Sequence, residues 1–87
     1  MASAFTWQIN IHKHHLTGFG YDPNPLTGVA DGDQIVWTNN DDKPHQPSLL
    51  PYPIPPDGTS DTYVASATVT YTDTLHPQGP VGRITVG

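Results

Sequence analysis

The chain has no cysteine, no glutamate, one methionine and only three cationic side chains, Lys13, Lys43 and Arg83. Without cysteine there is neither a disulfide nor a thiolate ligand. Three cations against eight acids, all aspartate, give a net charge of −5 and no basic stripe to neutralise phosphates, which argues against nucleic acid and anionic lipid as partners. No apolar run approaches the roughly 18 residues of a membrane span, and no basic and apolar leader precedes residue 10, so membrane insertion is not expected. A phosphate-cradling glycine-rich loop is absent, and no Ser, His and acid stand at a credible spacing, so no catalytic residue is assigned.

What is present favours strands and turns. The 87 residues include eleven threonines, ten prolines and eight glycines. Threonine is stiff at Cβ, and aspartate competes for its own backbone hydrogen bonds, so both disfavour helix interiors. An all-β domain over residues 1–87 is expected, with residues 1–4 an expression scar or a disordered start. A domain this small buries a modest fraction of its surface and gains from a bound metal or an oligomer interface. Its five histidines are therefore worth placing.

Residues 5–12, "FTWQINIH", alternate, with Phe5, Trp7, Ile9 and Ile11 on one face. "LTGFGYDPNPLTG" (16–28) is broken by Gly and Pro and holds only short extended pieces. A Gly-Asp turn precedes a strand over about 34–38 that ends at Asn39. Residues 43–61 contain six prolines and predict an ordered loop without regular ladder pairing. Its Leu49, Leu50, Tyr52 and Ile54 either fold back over the core or make the proline-rich stretch 44–58 a contact surface for a protein partner. Alternation over 62–72 predicts another strand, placing Asp73 in register with Val69 and Tyr71, toward the core. Residues 82–86 close the fold with Ile84 and Val86 inward.

A buried carboxylate is costly unless it is paired or holds a metal ion. His76 lies three residues beyond Asp73 across a turn begun by Thr74 and ended by Pro77. Alone, that pair reads as a turn cap and an exposed imidazole. In "HKHH" (12–15), His12 and His14 share a strand face with His15 opposite. They are either a solvated edge or a chelating pair, able to form a second site or to supply a third nitrogen to the first.

"GDQIVWTNNDDKPHQP" (32–47), followed by "YTDTLHPQGPVGRITV" (71–86), resembles the cupredoxins, the blue-copper family that includes plastocyanin. The resembling residues are the Gly32-Asp33 turn, Trp37, Asn39, Asn40 and His45, then Tyr71, His76 and Gly82, with "GYDPNPL" similar to the family's step before its second strand. The resemblance implies an antiparallel Greek-key β-sandwich of seven or eight strands with a metal site at one end, and a periplasmic or extracellular setting. It also implies copper, yet Asp73 stands at the family's cysteine position, and Pro80 or Val81 at its methionine position. No blue site can form without a thiolate. The implied ligands are His45, His76 and Asp73, with His12, His14 and His15 as additional donors. This harder set suits Cu(II), with Zn(II) or Ni(II) able to replace it, and disfavours fast electron transfer. The functions that follow are copper carriage or part of a redox protein, or a metal-free descendant acting as an interaction module.

Overall fold

A computed structural model describes residues 4–16 and 18–87; residues 1–3 of the expected scar lie outside the described residues. The described residues form seven strands and no helix: β1 (Thr6–His14), β2 (Gly18–Asp22), β3 (Leu26–Val29), β4 (Gln34–Asn39), β5 (Tyr63–Val64), β6 (Val69–Tyr71) and β7 (Gly82–Val86). They pair as two sheets, β2-β1-β4-β5 and β3-β7-β6. Between them lie Ile9 and Ile11 of β1, Phe19 and Tyr21 of β2, Ile35 and Trp37 of β4, Tyr71 of β6 and Ile84 of β7, all buried.

The all-β sandwich is as expected, but its sheets are mixed rather than antiparallel. β1 runs parallel to β4, and β3 parallel to β7. The chain leaves the first sheet after β2, adds β3 to the second, and returns as β4 beside β1. Parallel neighbours require such a crossover. Alternation reports which face a residue occupies, not which way its strand runs.

Two further expectations are corrected. Phe5 is not inward: it precedes β1, is 59% exposed, and packs edge-on against Trp7. The stretch 62–72 is not one strand. β5 belongs to the first sheet and β6 to the second, and buried Ala65 sits at the switch, its N–H and C=O bonded to Asp33 and Gly32. The proline-rich loop folds back in part: Leu50 and Ile54 are buried, Leu49 is half-buried and Tyr52 is exposed. As its prolines require, it pairs only through isolated bridges such as His45 with Ile54.

Asp33, in the Gly-Asp turn, accepts hydrogen bonds from the Trp7 indole, the Ala30 N–H and the Phe5 N–H. The indole bond first, then the two backbone bonds, hold its carboxyl below the usual range. At the other end of the core, Gly82 pairs with Tyr71 across β6 and β7, and a Cβ there would clash with the Tyr71 ring at its Cζ. We expect Gly82→Ala to destabilise the fold by about 1–3 kcal/mol through overpacking, read as a lower urea midpoint. An unchanged midpoint would mean that the Tyr71 ring yields freely.

Candidate metal centre

The parallel pairing of β1 and β4, in register from Thr6 with Gln34 to Ile11 with Asn39, carries both C-terminal ends to one end of the sandwich. The β6–β7 loop opens at the same end, and Phe19 of β2 covers it.

Asn39 organises the first half of the centre. It is fully buried, and its amide donates to the carbonyls of Lys43 at 2.8 Å and Ile54 at 3.0 Å. Its side-chain oxygen accepts the Asp41 N–H at 2.9 Å. These bonds wind residues 40–45 into a tight turn and fasten the proline-rich loop beneath it. Asp41 and His45 therefore face each other across that turn, both buried.

The second half is the turn after β6. The Ser48 and Thr74 N–H groups bond to the Thr72 and Gln46 carbonyls at 2.7 Å each, zipping the His45 loop to the Asp73 loop. The Asp73 carboxylate is fully buried, as its register with Tyr71 predicts. Its Oδ1 accepts the N–H groups of Gln46 and Leu75, both at 2.9 Å. Its Oδ2 faces His45 Nδ1 at 2.5 Å and His76 Nδ1 at 3.0 Å.

One donor atom from each of His45, Asp73 and His76 lies within 4.8 Å of the others. His45 is 1% exposed and the His76 side chain 34%, so the cluster has one wet edge. Phe19 packs on both imidazoles, with ring centroids 4.3 Å from His45 and 5.3 Å from His76. A cleft of about 370 Å³ opens above them, lined by Phe19, Asp41, Lys43, His45, His76 and Pro77 among others.

Asp41 is the residue that sequence reasoning missed. Its Oδ2 lies 2.7 Å from His45 Nε2. A ligating imidazole commonly gives its other N–H to a carboxylate, which fixes tautomer and ring orientation. The spacing of four residues from Asp41 to His45 was the available signal, but adjacent Asp42 offered the same chemistry. Only the Asn39 turn decides between them: Asp42 instead pairs at the surface with Lys13 at 2.7 Å.

The donor chemistry fits a divalent ion. A neutral imidazole has one N–H and one lone pair. If His45 gives its N–H to Asp41, its Nδ1 lone pair points at a carboxylate oxygen, an arrangement that needs a proton or a metal ion between them. Two donors each about 2 Å from one ion stand about 3 Å apart. The His76 pair has that spacing, and the His45 pair reaches it by opening slightly. Burial works to raise the Asp73 carboxyl, but the bonds from Gln46, His45, Leu75 and His76 outweigh it and hold the group below the usual range. Asp41 is likewise lowered: its burial is outweighed by His45 and by hydrogen bonds from Asp42.

The other expected donors stand apart. His12, His14 and His15 are not in the cluster, although β1 does end on the same side. His15 is not opposite His14 either, because β1 stops at His14 and the chain turns, stacking the two rings with centroids 5.2 Å apart. His12 Nδ1 lies 3.0 Å from the Lys13 carbonyl. Val81, one of the two residues at the methionine position, is 56% exposed and does not line the cleft over the two imidazoles.

No protein-family model and no curated protein matches this sequence. Solved structures do. A purple cupredoxin from Nitrosopumilus maritimus aligns with a TM-score of 0.76 at 25% identity, over 92% of this chain and 98% of that one. Amicyanin from Paracoccus versutus (Thiobacillus versutus) aligns at 0.69 and 19% identity, over 100% of this chain and 84% of that one. A point mutant of amicyanin described as Cu(I) aligns at 0.66 and 17% identity, over 94% and 82%. With two packed sheets in this order and these structural neighbours, this chain has the cupredoxin fold.

Proposed function

We propose that this domain binds one divalent copper ion through His45 Nδ1, His76 Nδ1 and Asp73 Oδ2, in a thiolate-free site of the type 2 kind. It would serve in copper carriage or as one part of a larger redox protein, outside the cytoplasm as the family resemblance implies. The observation that carries this reading is the division of labour within Asp73: Oδ1 is spent on two backbone N–H groups, while Oδ2 is aimed at two imidazole nitrogens. The amicyanin neighbour described as Cu(I) supports copper as the ion; zinc would fit the same donors.

Bound copper supplies a one-electron couple, and hard nitrogen and oxygen donors favour its oxidised member. The chain does the rest. Asp41 takes the His45 Nε2–H and leaves Nδ1 free to ligate, Asn39 fixes the turn that presents both residues, and Phe19 keeps water from the buried side. The exposed edge of His76 leaves room for a solvent ligand.

Titration with Cu(II) at pH 7, followed by electron paramagnetic resonance, should give one ion per chain with ordinary tetragonal parameters. His45→Ala and His76→Ala should each abolish binding, and His14→Ala should retain it. The reverse pattern would move the site to the histidine cluster. Each imidazole must offer a lone pair to bind, so protons compete with the ion and affinity should fall on acidification. No uptake at micromolar copper would favour the second reading, a metal-free interaction module. That reading rests on Tyr52, 69% exposed between Pro51 and Pro53 in the loop 44–58.

A further inference from the structure

The core holds an unbroken series of redox-active rings. Tyr21 and Tyr71 meet edge to face with centroids 4.8 Å apart, and Tyr71 meets Trp37 at 5.4 Å. The Trp37 indole N–H donates to the Tyr71 hydroxyl at 3.2 Å. Trp37 in turn meets Tyr63 at 6.1 Å. This last step is a diagonal cross-strand contact, since Tyr63 of β5 pairs with Ile35, two residues before Trp37 on β4. One end of the series abuts the candidate metal centre, because Tyr71 precedes Asp73 by two residues on the same buried face and Phe19 bridges Tyr21 to His45. The other end, Tyr63, is half-buried toward the start of β4, away from that centre.

We propose that Trp37 and Tyr63, reached through the Tyr71 contact, form a hole-transfer relay that carries an oxidising equivalent from the His45–Asp73 end of the sandwich to the surface. The domain would thereby discharge peroxide-derived one-electron oxidants at the expense of a thiol or ascorbate-type reductant. Electron tunnelling weakens steeply with distance, so short ring-to-ring steps outcompete one long transfer through aliphatic side chains.

The order of the relay follows from where protons can go. A phenol that loses an electron becomes a strong acid and must release its proton. Tyr71 and Tyr21 are both buried; the Tyr71 hydroxyl accepts the Trp37 N–H, and the Tyr21 hydroxyl has no hydrogen-bond partner among the described residues, so neither phenol faces an acceptor for its proton. Neither buried tyrosine can hold the hole. Trp37 can lose an electron without losing its proton, and its N–H stays on the Tyr71 hydroxyl.

The oxidant takes one electron from Trp37 through the Tyr71 contact, leaving an indole radical cation. Tyr63 returns one electron to Trp37 and gives its phenolic proton to water, leaving a neutral phenoxyl radical. The reductant then supplies one electron and one proton to restore Tyr63. The net transfer is one electron to the oxidant, which takes a proton from water, and one hydrogen atom lost by the reductant.

The relay belongs to the chain itself and can be tested without copper. A ruthenium polypyridyl photosensitiser would be coordinated to His76 of the full chain, with His12, His14 and His15 changed to Gln so that the label has one accessible imidazole. Flash oxidation of the label should yield a tyrosyl radical signal, and trapping followed by mass spectrometry should locate it at Tyr63. Trp37→Phe should abolish the Tyr63 radical. Tyr63→Phe, a milder change at a half-buried position, should leave an indole radical that outlives the one in the parent chain. Trapping at exposed Tyr52 instead, a Tyr63 radical that survives Trp37→Phe, or an indole radical of unchanged lifetime in Tyr63→Phe would overturn the relay.

Discussion

Asp73→Cys is expected to turn the copper-loaded protein from faintly tinted to intensely coloured. The change replaces an oxygen donor by a thiolate at a position that is fully buried and faces both imidazole Nδ1 atoms. Colour in such centres comes from covalency between thiolate sulfur and Cu(II). The surrounding frame does not depend on the aspartate alone. Ser48 and Thr74 zip the two loops through backbone bonds, and Asn39 holds the His45 turn. The N–H groups of Gln46 and Leu75, which now serve Asp73 Oδ1, would be left near the sulfur, where they favour the ionised thiol. Visible absorption and the copper hyperfine coupling are the readouts. A colourless copper complex with unchanged tetragonal parameters would mean that the centre is shaped around a carboxylate and cannot seat a thiolate.

How much of this was legible in the sequence differs from residue to residue. Alternation placed Ile9, Ile11 and Ile84 inward, and it put Asp73 in the buried register of Tyr71, because a period of two is all that a half-buried strand requires. His45 became legible only through its resemblance to a family motif, since nothing local distinguishes it from a surface histidine after Pro44. Asp41 was not legible: its burial depends on three hydrogen bonds made by Asn39, and two of their partners, Lys43 and Ile54, lie beyond it in the chain. The break of 62–72 into strands of different sheets was hidden for a similar reason. Ala65 continues a pattern that looks local, while Gly32 and Asp33 of the opposite loop decide where the chain changes sheet.

His45→Ala should have the largest effect on stability of any single change at the centre, about 3–5 kcal/mol at pH 7, because it strips the partner from buried charges and leaves them in place. The imidazole lies between Asp41 Oδ2 at 2.7 Å and Asp73 Oδ2 at 2.5 Å, and both carboxylates are almost wholly shielded from water. Against a total of roughly 0.05–0.15 kcal/mol per residue, such a loss removes a large share of the stability of a small domain. The pH dependence separates this cause from simple loss of packing. In the parent chain both carboxyls are held below the ordinary aspartate range, so their contribution is fully present above about pH 4 and disappears as pH falls through their depressed native values. Removing the imidazole takes away the partner that most offsets burial at Asp41 and leaves only the hydrogen bonds from Asp42 against it, so the folded variant is expected to take up a proton before the unfolded chain does. The urea midpoint of His45→Ala should therefore rise as pH is lowered from 7 toward 5, a range in which those two carboxyls contribute no such rise in the parent. Adding Asp41→Asn should recover part of the loss at pH 7 by deleting the orphaned charge. A cost below about 1 kcal/mol, or a variant that never stabilises on acidification, would show that water reaches Asp41 and Asp73 once the ring is gone, and that the imidazole holds them by packing rather than by charge.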